Sequence, residues 1–267
     1  MKIALFALTG IGNKVLDHLV ANDLAPTLVV TRKEAGPYPY ADIPFLGDAA
    51  EKYCIPWYEH AEGCAAAKSC EVLVSATYHQ MIPQDVIEAV DFAVNAHPSL
   101  LPKYRGPNPF FWVILRGEKK TGVSVHMLSA SFDEGDILCQ IPVDISKEET
   151  QGSLRRKIAV KAGMAVNRAL EDYRRGALQP IPQDESLASY QPFPTDHDYD
   201  IDMAKTVEAL CRLTRAASPW PLARFDGLRV REAMRDHNPM DEGEIVVQVA
   251  DGRLRMKMTD DKGTHDR

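Results

Sequence analysis

No stretch of this 267-residue chain approaches the roughly 20 consecutive apolar residues that a membrane-spanning helix needs. The opening MKIALFAL is too short and too weakly basic for a secretory leader. The expectation is a cytoplasmic protein with no membrane partner. Cysteine is sparse: Cys54, Cys64, Cys70, Cys139 and Cys211 are odd in number and form no CxxC pair. That speaks against a disulfide framework or a zinc ribbon and leaves buried or idle thiols. The eight histidines do not cluster at ligand spacing either, so no metal is expected. Positive charge is short as well. Against 38 Asp and Glu stand 31 Lys and Arg, a net of −7, which disfavours a nucleic-acid partner.

What is present is ordinary globular material, 45% hydrophobic and 26% charged, in a length that suits a large domain with a smaller one. KIALFAL (2–8), TLVVTR (27–32), CEVLVSAT (70–77), FAVNAH (92–97) and TGVSVHML (121–128) read as strands. Between the early ones lie helical stretches at Lys14–Ala21, 46–53 and 83–90, the last opened by Pro83. Such alternation implies an α/β fold, a Rossmann-like, mostly parallel sheet with helices on both faces. A long helix is expected between Ser146 and Gly176, capped by Ser146 with Glu149. Its apolar stripe of Leu154, Ile158, Ala162, Ala165, Ala169 and Tyr173 is read as core. We expect a catalytic domain over 1–185, a Pro-rich linker over 186–200 and a small C-terminal helix-plus-β domain over 201–267. In that last part a helix runs from Met203 to Ala216, and Asp226-Gly227 and Asp251-Gly252 mark hairpin turns. DDKGTHDR (260–267) reads as a solvated tail.

Gly10 and Gly12 half-match a dinucleotide fingerprint, but Val15 stands at the third glycine and the second strand ends in Thr31 and Arg32, not an acid. A tight strand-to-helix turn is the better reading. The stronger feature is NAHPSLLPKYRG (95–106). Asn95 and His97 leave a buried strand two residues apart and so point the same way. Sites in parallel sheets lie at such carboxyl ends. Asp133, in the loop SASFDEGDIL, is either a turn acid or the carboxylate that fixes the His97 ring. No Ser or Cys stands in a nucleophile-elbow setting, so direct acyl transfer fits better than covalent catalysis. The Asn95 amide would hold a carbonyl oxygen while His97 stabilises the oxyanion and manages protons. His126, alternating with Val125 and Met127, either faces the site or is a satisfied core histidine, the second being preferred, and Trp220 is read as the anchor of a domain junction. Among Phe110, Phe111 and Trp112 at least one must be core, while the others are available to stack on a base.

NAHPSLLPKYRG, TGVSVHML and DEGDI, followed by PIPQDESLASY (180–190) and RAASPWP (215–221), closely resemble the folate-dependent formyltransferase family. That resemblance implies transfer of a formyl group from 10-formyltetrahydrofolate to an amine, with Asn95, His97 and Asp133 as the catalytic set. It places TYHQMIP (77–83) and the 131–136 loop around the pterin, hence Tyr78, Gln80, Met81, Ile82, Ser131, Glu134 and Asp136 as cofactor-side residues. Within the family, PKYRGPNPFFWVILRGE is most like the nucleotide-amino-sugar branch, so Ser99, Lys103, Arg105, Phe111 and Trp112 are expected on the acceptor side. The C-terminal part looks like a shortened version of the family's β-barrel appendage. The expected acceptor is a small amine, of the sugar-nucleotide kind, and a homodimer is allowed. The methionyl-tRNA branch is the runner-up: the start FALTGIGN lacks its GTPxFA-like opening, and KEAGPYPYADIPF holds a single Lys where that branch is basic. The same residues are compatible with a formyltetrahydrofolate hydrolase, whose triad activates water, and with a non-catalytic folate-binding module.

Overall fold

The computed structural model describes residues 1–33, 43–129, 131–236 and 243–259. Most of the 33–45 loop and the 260–267 tail therefore lie outside the described residues. The chain opens with β1 (Ile3–Ala7), five apolar residues all buried, as a strand covered on both faces requires. It turns directly into α1 (Ile11–Ala21). Gly12 lets the two approach: a Cβ there would sit 2.7 Å from both Ala7 Cβ and Leu46 Cδ2. The glycine of the half-matched fingerprint is thus a packing requirement.

There follow β2 (Leu28–Val30), α2 (Leu46–Glu51), β3 (Trp57–Tyr58), α3 (His60–Ala67), β4 (Val72–Ala76), α4 (Gln84–Ile87) and β5 (Phe92–His97). Then come α5 (Pro109–Leu115), β6 (Lys120–Met127), β7 (Ile137–Asp144) and α6 (Gln151–Arg174). The strands form one sheet in the order β3-β2-β1-β4-β5-β6-β7. The first five run parallel, and β6 and β7 are added antiparallel. The expected mostly parallel α/β sheet is what forms. Two strands, β3 and β7, go beyond the expectation. β7 carries Pro142, which breaks a strand pattern in sequence but is tolerated at the sheet edge where no ladder donor is needed.

α6 buries Leu154, Ile158, Ala162, Ala165 and Ala169, and Tyr173 stacks on Phe92 with ring centroids 4.3 Å apart. Its cap differs from the expected one. Thr150 Oγ1 accepts from Ser153 N at 3.1 Å, and Thr150 N donates back to Ser153 Oγ. Glu149 does accept from Ser146 N at 3.4 Å, but it also takes Ser153 and Lys157, and the helix starts after Thr150 instead of at Ser146.

Beyond it, α7 (Val207–Ala217) begins at Thr206, whose side chain accepts from Ala209 N, and not at Met203. β8 (Ala223–Phe225), β9 (Leu228–Arg235), β10 (Glu244–Val249) and β11 (Gly252–Thr259) make a small antiparallel sheet in the order β10-β11-β9-β8. Asp226 and Gly227 both take positive φ, which is the two-residue turn that the dipeptide signals. The second hairpin turns one residue earlier than expected, at Ala250-Asp251, because Gly252 already pairs with Val249. No helix among the described residues is long and apolar enough to cross a membrane.

Candidate active site

Asn95 and His97 occupy the end of β5, two residues apart and on one face. β6 runs antiparallel beside it, with His126 directly opposite Asn95. Opposed residues share a face, so His126 joins the pair. Asp133 closes the cluster from the loop after β6. Its Oδ1 lies 3.3 Å from His97 Nδ1, 3.3 Å from Asn95 Nδ2 and 3.5 Å from His126 Nε2. Its Oδ2 accepts from the backbone N–H of Gly106 at 2.9 Å.

Proton positions follow from the acceptors. His97 Nε2 faces the Tyr104 carbonyl at 2.8 Å, which can only accept, while Nδ1 faces the carboxylate. Two acceptors on one ring favour imidazolium. Burial pushes the His97 pKa down, but the attraction of Asp133 overcomes it and the net shift is upward. Burial would likewise raise Asp133, and the His97 charge instead holds that carboxyl well below the usual carboxylate range. His126 Nδ1 donates to Met127 O at 2.9 Å, which leaves Nε2 to accept from Asn95 Nδ2 at 3.2 Å. Both amide protons of Asn95 are therefore committed, one to His126 and one to Asp133. Its oxygen has no hydrogen-bond partner among the described residues and is left for an incoming donor.

The loop carrying Asp133 is held from behind. Asp133 itself has φ 58°, an uncommon value for a residue with a Cβ. Gln183 Nε2 donates to Asp133 O and Gly135 O at 2.7 and 2.8 Å and fixes that turn. Arg105 grips Gln183 Oε1 through Nε and one NH2, and Glu185 through both terminal nitrogens. Gly106 is needed next to it: φ is +93°, and a Cβ would lie 2.6 Å from Gln191 O.

The cluster opens on a cavity of about 550 Å³. One wall comes from the 77–83 loop with Leu128 and Ser131, and here the expected Tyr78, Gln80, Met81 and Ile82 all appear. The lining also includes Asn108, Phe110, Gln151, Arg155, Tyr199 and Trp220. Among the described residues no group of His, Cys, Asp and Glu is arranged to hold a metal.

Several expected residues are placed elsewhere. Glu134 points to Arg105 at 3.7 Å, and Asp136 contributes its carbonyl to Met127 N; neither lines the cavity. Ser99 is sealed in, its hydroxyl donating to Lys103 O. Lys103 is exposed outside the cavity, and Arg105 is the buried clasp just described. Phe111 is fully buried between the Trp112 and Tyr199 rings, and Trp112 Nε1 donates to Pro192 O. Of the three consecutive aromatics it is Phe110 that reaches the cavity. Of the two readings of His126 it is the less favoured that holds: it is buried, and it faces the site against Asn95 and Asp133. Gln183, Arg155 and Gln151 join the site without a sequence signal of their own, although Gln183 lies in the PIPQDESLASY block.

A family model described as formyl transferase matches residues 58–170. The methionyl-tRNA formyltransferase of Streptococcus uberis is 32% identical over 186 residues, 68% of this chain and 60% of that protein. That of Streptococcus mutans is 34% identical over 161 residues, 60% of this chain and 52% of the relative. The alignments thus span little more than half the length of these relatives. Among solved structures, the N-formyltransferase from Helicobacter canadensis, in complex with folinic acid and dTDP-3-aminofucose, superposes with a TM-score of 0.79 at 16% identity. It is matched over 97% of this chain and 100% of its own. WlaRD, a sugar 3N-formyl transferase crystallised with dTDP and 5-N-formyl-THF, gives 0.77 at 17% identity over 97% and 98%. The family match contains β5, β6 and the Asp133 loop, the segments that build the cluster, and the chain belongs to the folate-dependent formyltransferase family.

Proposed function

We propose that the protein moves a formyl group from 10-formyltetrahydrofolate to a primary amine carried by a small molecule, of the amino-sugar nucleotide kind. The carrying observation is the ionised Asp133 shared by Asn95 and His97 at the floor of the cavity. The donor fits the residues present: the 77–83 loop and Leu128 offer a largely apolar wall with backbone edges for a pterin. When bound, the folate supplies an electrophilic formyl carbon. His97, charged and out of water, sets positive charge close to where negative charge develops on the formyl oxygen, and Asp133 keeps it charged. Asn95 Oδ1 accepts an N–H of the attacking amine and orients it. Overall one proton leaves the acceptor nitrogen and one reaches the donor nitrogen, and His97 with Asp133 can carry it.

The small-molecule acceptor is supported by charge and by extent. Residues 201–267 hold twelve Lys and Arg against twelve Asp and Glu, a net of zero. The sugar formyltransferases match this chain from end to end, each over at least 98% of its own length. Methionyl-tRNA remains a second reading because the two relatives at 32% and 34% identity named above carry that name. The test is a turnover screen with 10-formyltetrahydrofolate against amino-sugar nucleotides, initiator methionyl-tRNA and free amino acids, following tetrahydrofolate release and formylated product. Formylation of a sugar nucleotide supports the proposal. Folate turnover without any amine would replace it with hydrolysis.

A further inference from the structure

The cavity that holds the catalytic cluster also holds a cation that no carboxylate among the described residues neutralises. Arg155, on α6, lies over the Phe110 ring at 4.3 Å and donates one NH2 to Asn108 Oδ1 at 2.8 Å. Its Nε is buried without a partner, and no described Asp or Glu lies in ion-pair range of it. One turn earlier, Gln151 donates to Trp220 O while its buried Oε1 is also unpartnered. Buried polar atoms are rarely left so, and two on one helix face lining one cavity indicate a partner that arrives with a ligand. Arg155 is also the sole Lys or Arg lining that cavity among the described residues. Beside it stand three exposed aromatic rings that line the same space, Tyr190 at 61%, Phe193 at 67% and Trp220 at 44%. Exposed rings at a mouth are stacking platforms for a planar base.

We infer that Arg155, with Asn108 and Gln151, is the diphosphate subsite of the acceptor, and that the Tyr190–Phe193–Trp220 rim takes its base. This deepens the transfer reading above and rests on it. The geometry agrees. Asn108 stands two residues from Gly106, whose N–H holds Asp133, so chain reach keeps the guanidinium within at most on the order of 10 Å of the cluster. A sugar then spans the space between phosphate and amine.

The experiment measures binding of inorganic pyrophosphate, UDP and 5-formyltetrahydrofolate to the intact chain and to variants, by calorimetry. Arg155→Met, which keeps the packing on Phe110, should weaken pyrophosphate and UDP about tenfold or more while leaving the folate unchanged. Arg155→Lys should fall between, because it keeps the charge without the planar fork. Trp220→Ala should weaken UDP and spare pyrophosphate. Equal pyrophosphate affinity in wild type and Arg155→Met, or no binding to wild type at millimolar concentration, overturns the subsite. If Arg155→Met also loses the folate, Arg155→Lys decides: unchanged pyrophosphate affinity there overturns the subsite. Wild type failing to bind 5-formyltetrahydrofolate would strike the transfer reading instead.

Discussion

His97 and His126 present ring nitrogens to the same oxygen of Asp133, at 3.3 and 3.5 Å, from neighbouring antiparallel strands. The carboxylate pairs directly with His97 and reaches His126 through the Asn95 amide, which donates one proton to the carboxylate and one to His126. Remove its charge and the proton assignment of every member changes.

Asp133→Asn keeps the shape and deletes the charge. Turnover should drop roughly a hundredfold or more, the usual cost of one preorganised electrostatic group. The profile should shift as well. Asp133 raises the His97 pKa, so wild type keeps its imidazolium to higher pH and loses activity as pH rises through that raised value. In the variant the alkaline fall should come at lower pH. Identical pH–rate profiles would show that Asp133 does not govern His97.

The same pair fixes how stability depends on pH. The lowered Asp133 pKa gives stability that is present above the ordinary value of 3.8 and lost as pH falls toward the folded value. The raised His97 pKa gives stability that is full below the ordinary 6.5 and lost as pH rises through the folded value. The pair thus contributes most between those two ordinary values. Urea midpoints across pH for wild type and Asp133→Asn should differ most in that window and converge on the acid side.

Gln183→Leu removes both donors that hold the Asp133 turn. It should lower kcat about tenfold, cost about 1–3 kcal/mol of stability and leave folate affinity near wild type. The pH–rate profile should move with it. A purely structural role would lower stability and leave that profile in place.

His126→Leu strips the acceptor from one Asn95 proton, whereas His126→Gln offers a carbonyl oxygen in its stead. Turnover should fall in the order wild type, Gln, Leu, with the Leu variant down by roughly tenfold, the cost of an unpaired buried donor. Equal rates for Gln and Leu would remove His126 from the positioning of Asn95.

Initiator methionyl-tRNA should bind weakly, with little of the steep salt dependence that several phosphate contacts produce. Filter binding at two salt concentrations checks this. Tight binding that collapses as salt rises would favour the second reading.

The sheet is legible in the sequence because buried strands and intervening helices carry different periods. Asn95 and His97 are legible for the same reason: period two carries both to one face as β5 ends. His126 is not, since β6 is buried over six consecutive residues and alternation there says nothing about which face meets the site. Its register against Asn95 decides, and register is long-range. Arg105 misleads differently. A cation in a Pro-rich loop reads as a phosphate ligand, yet Gln183 and Glu185, 78 and 80 residues later, occupy it completely. Of Phe110, Phe111 and Trp112 at least one reads as core and the others as stacking rings, but the phase of a seven-residue helix cannot be set from three aromatics. Arg155 sits beside the core stripe of α6, where a charged residue is the ordinary neighbour of an apolar face.

The Arg105–Gln183 clasp has a consequence for how the molecule comes into being. All seven strands of the large sheet are complete by Asp144, whereas the turn that aims Asp133 is held by a residue thirty-nine positions further on. Ser189, which receives Tyr104 N at 2.9 Å, ties down the neighbouring loop between β5 and α5 across 85 residues. During synthesis the sheet can thus assemble before its chemistry exists. A nascent chain halted before Gln183 would hold Asn95, His97 and Asp133 in its sequence and still lack the tether that sets them, so competence arrives with the last contact to close.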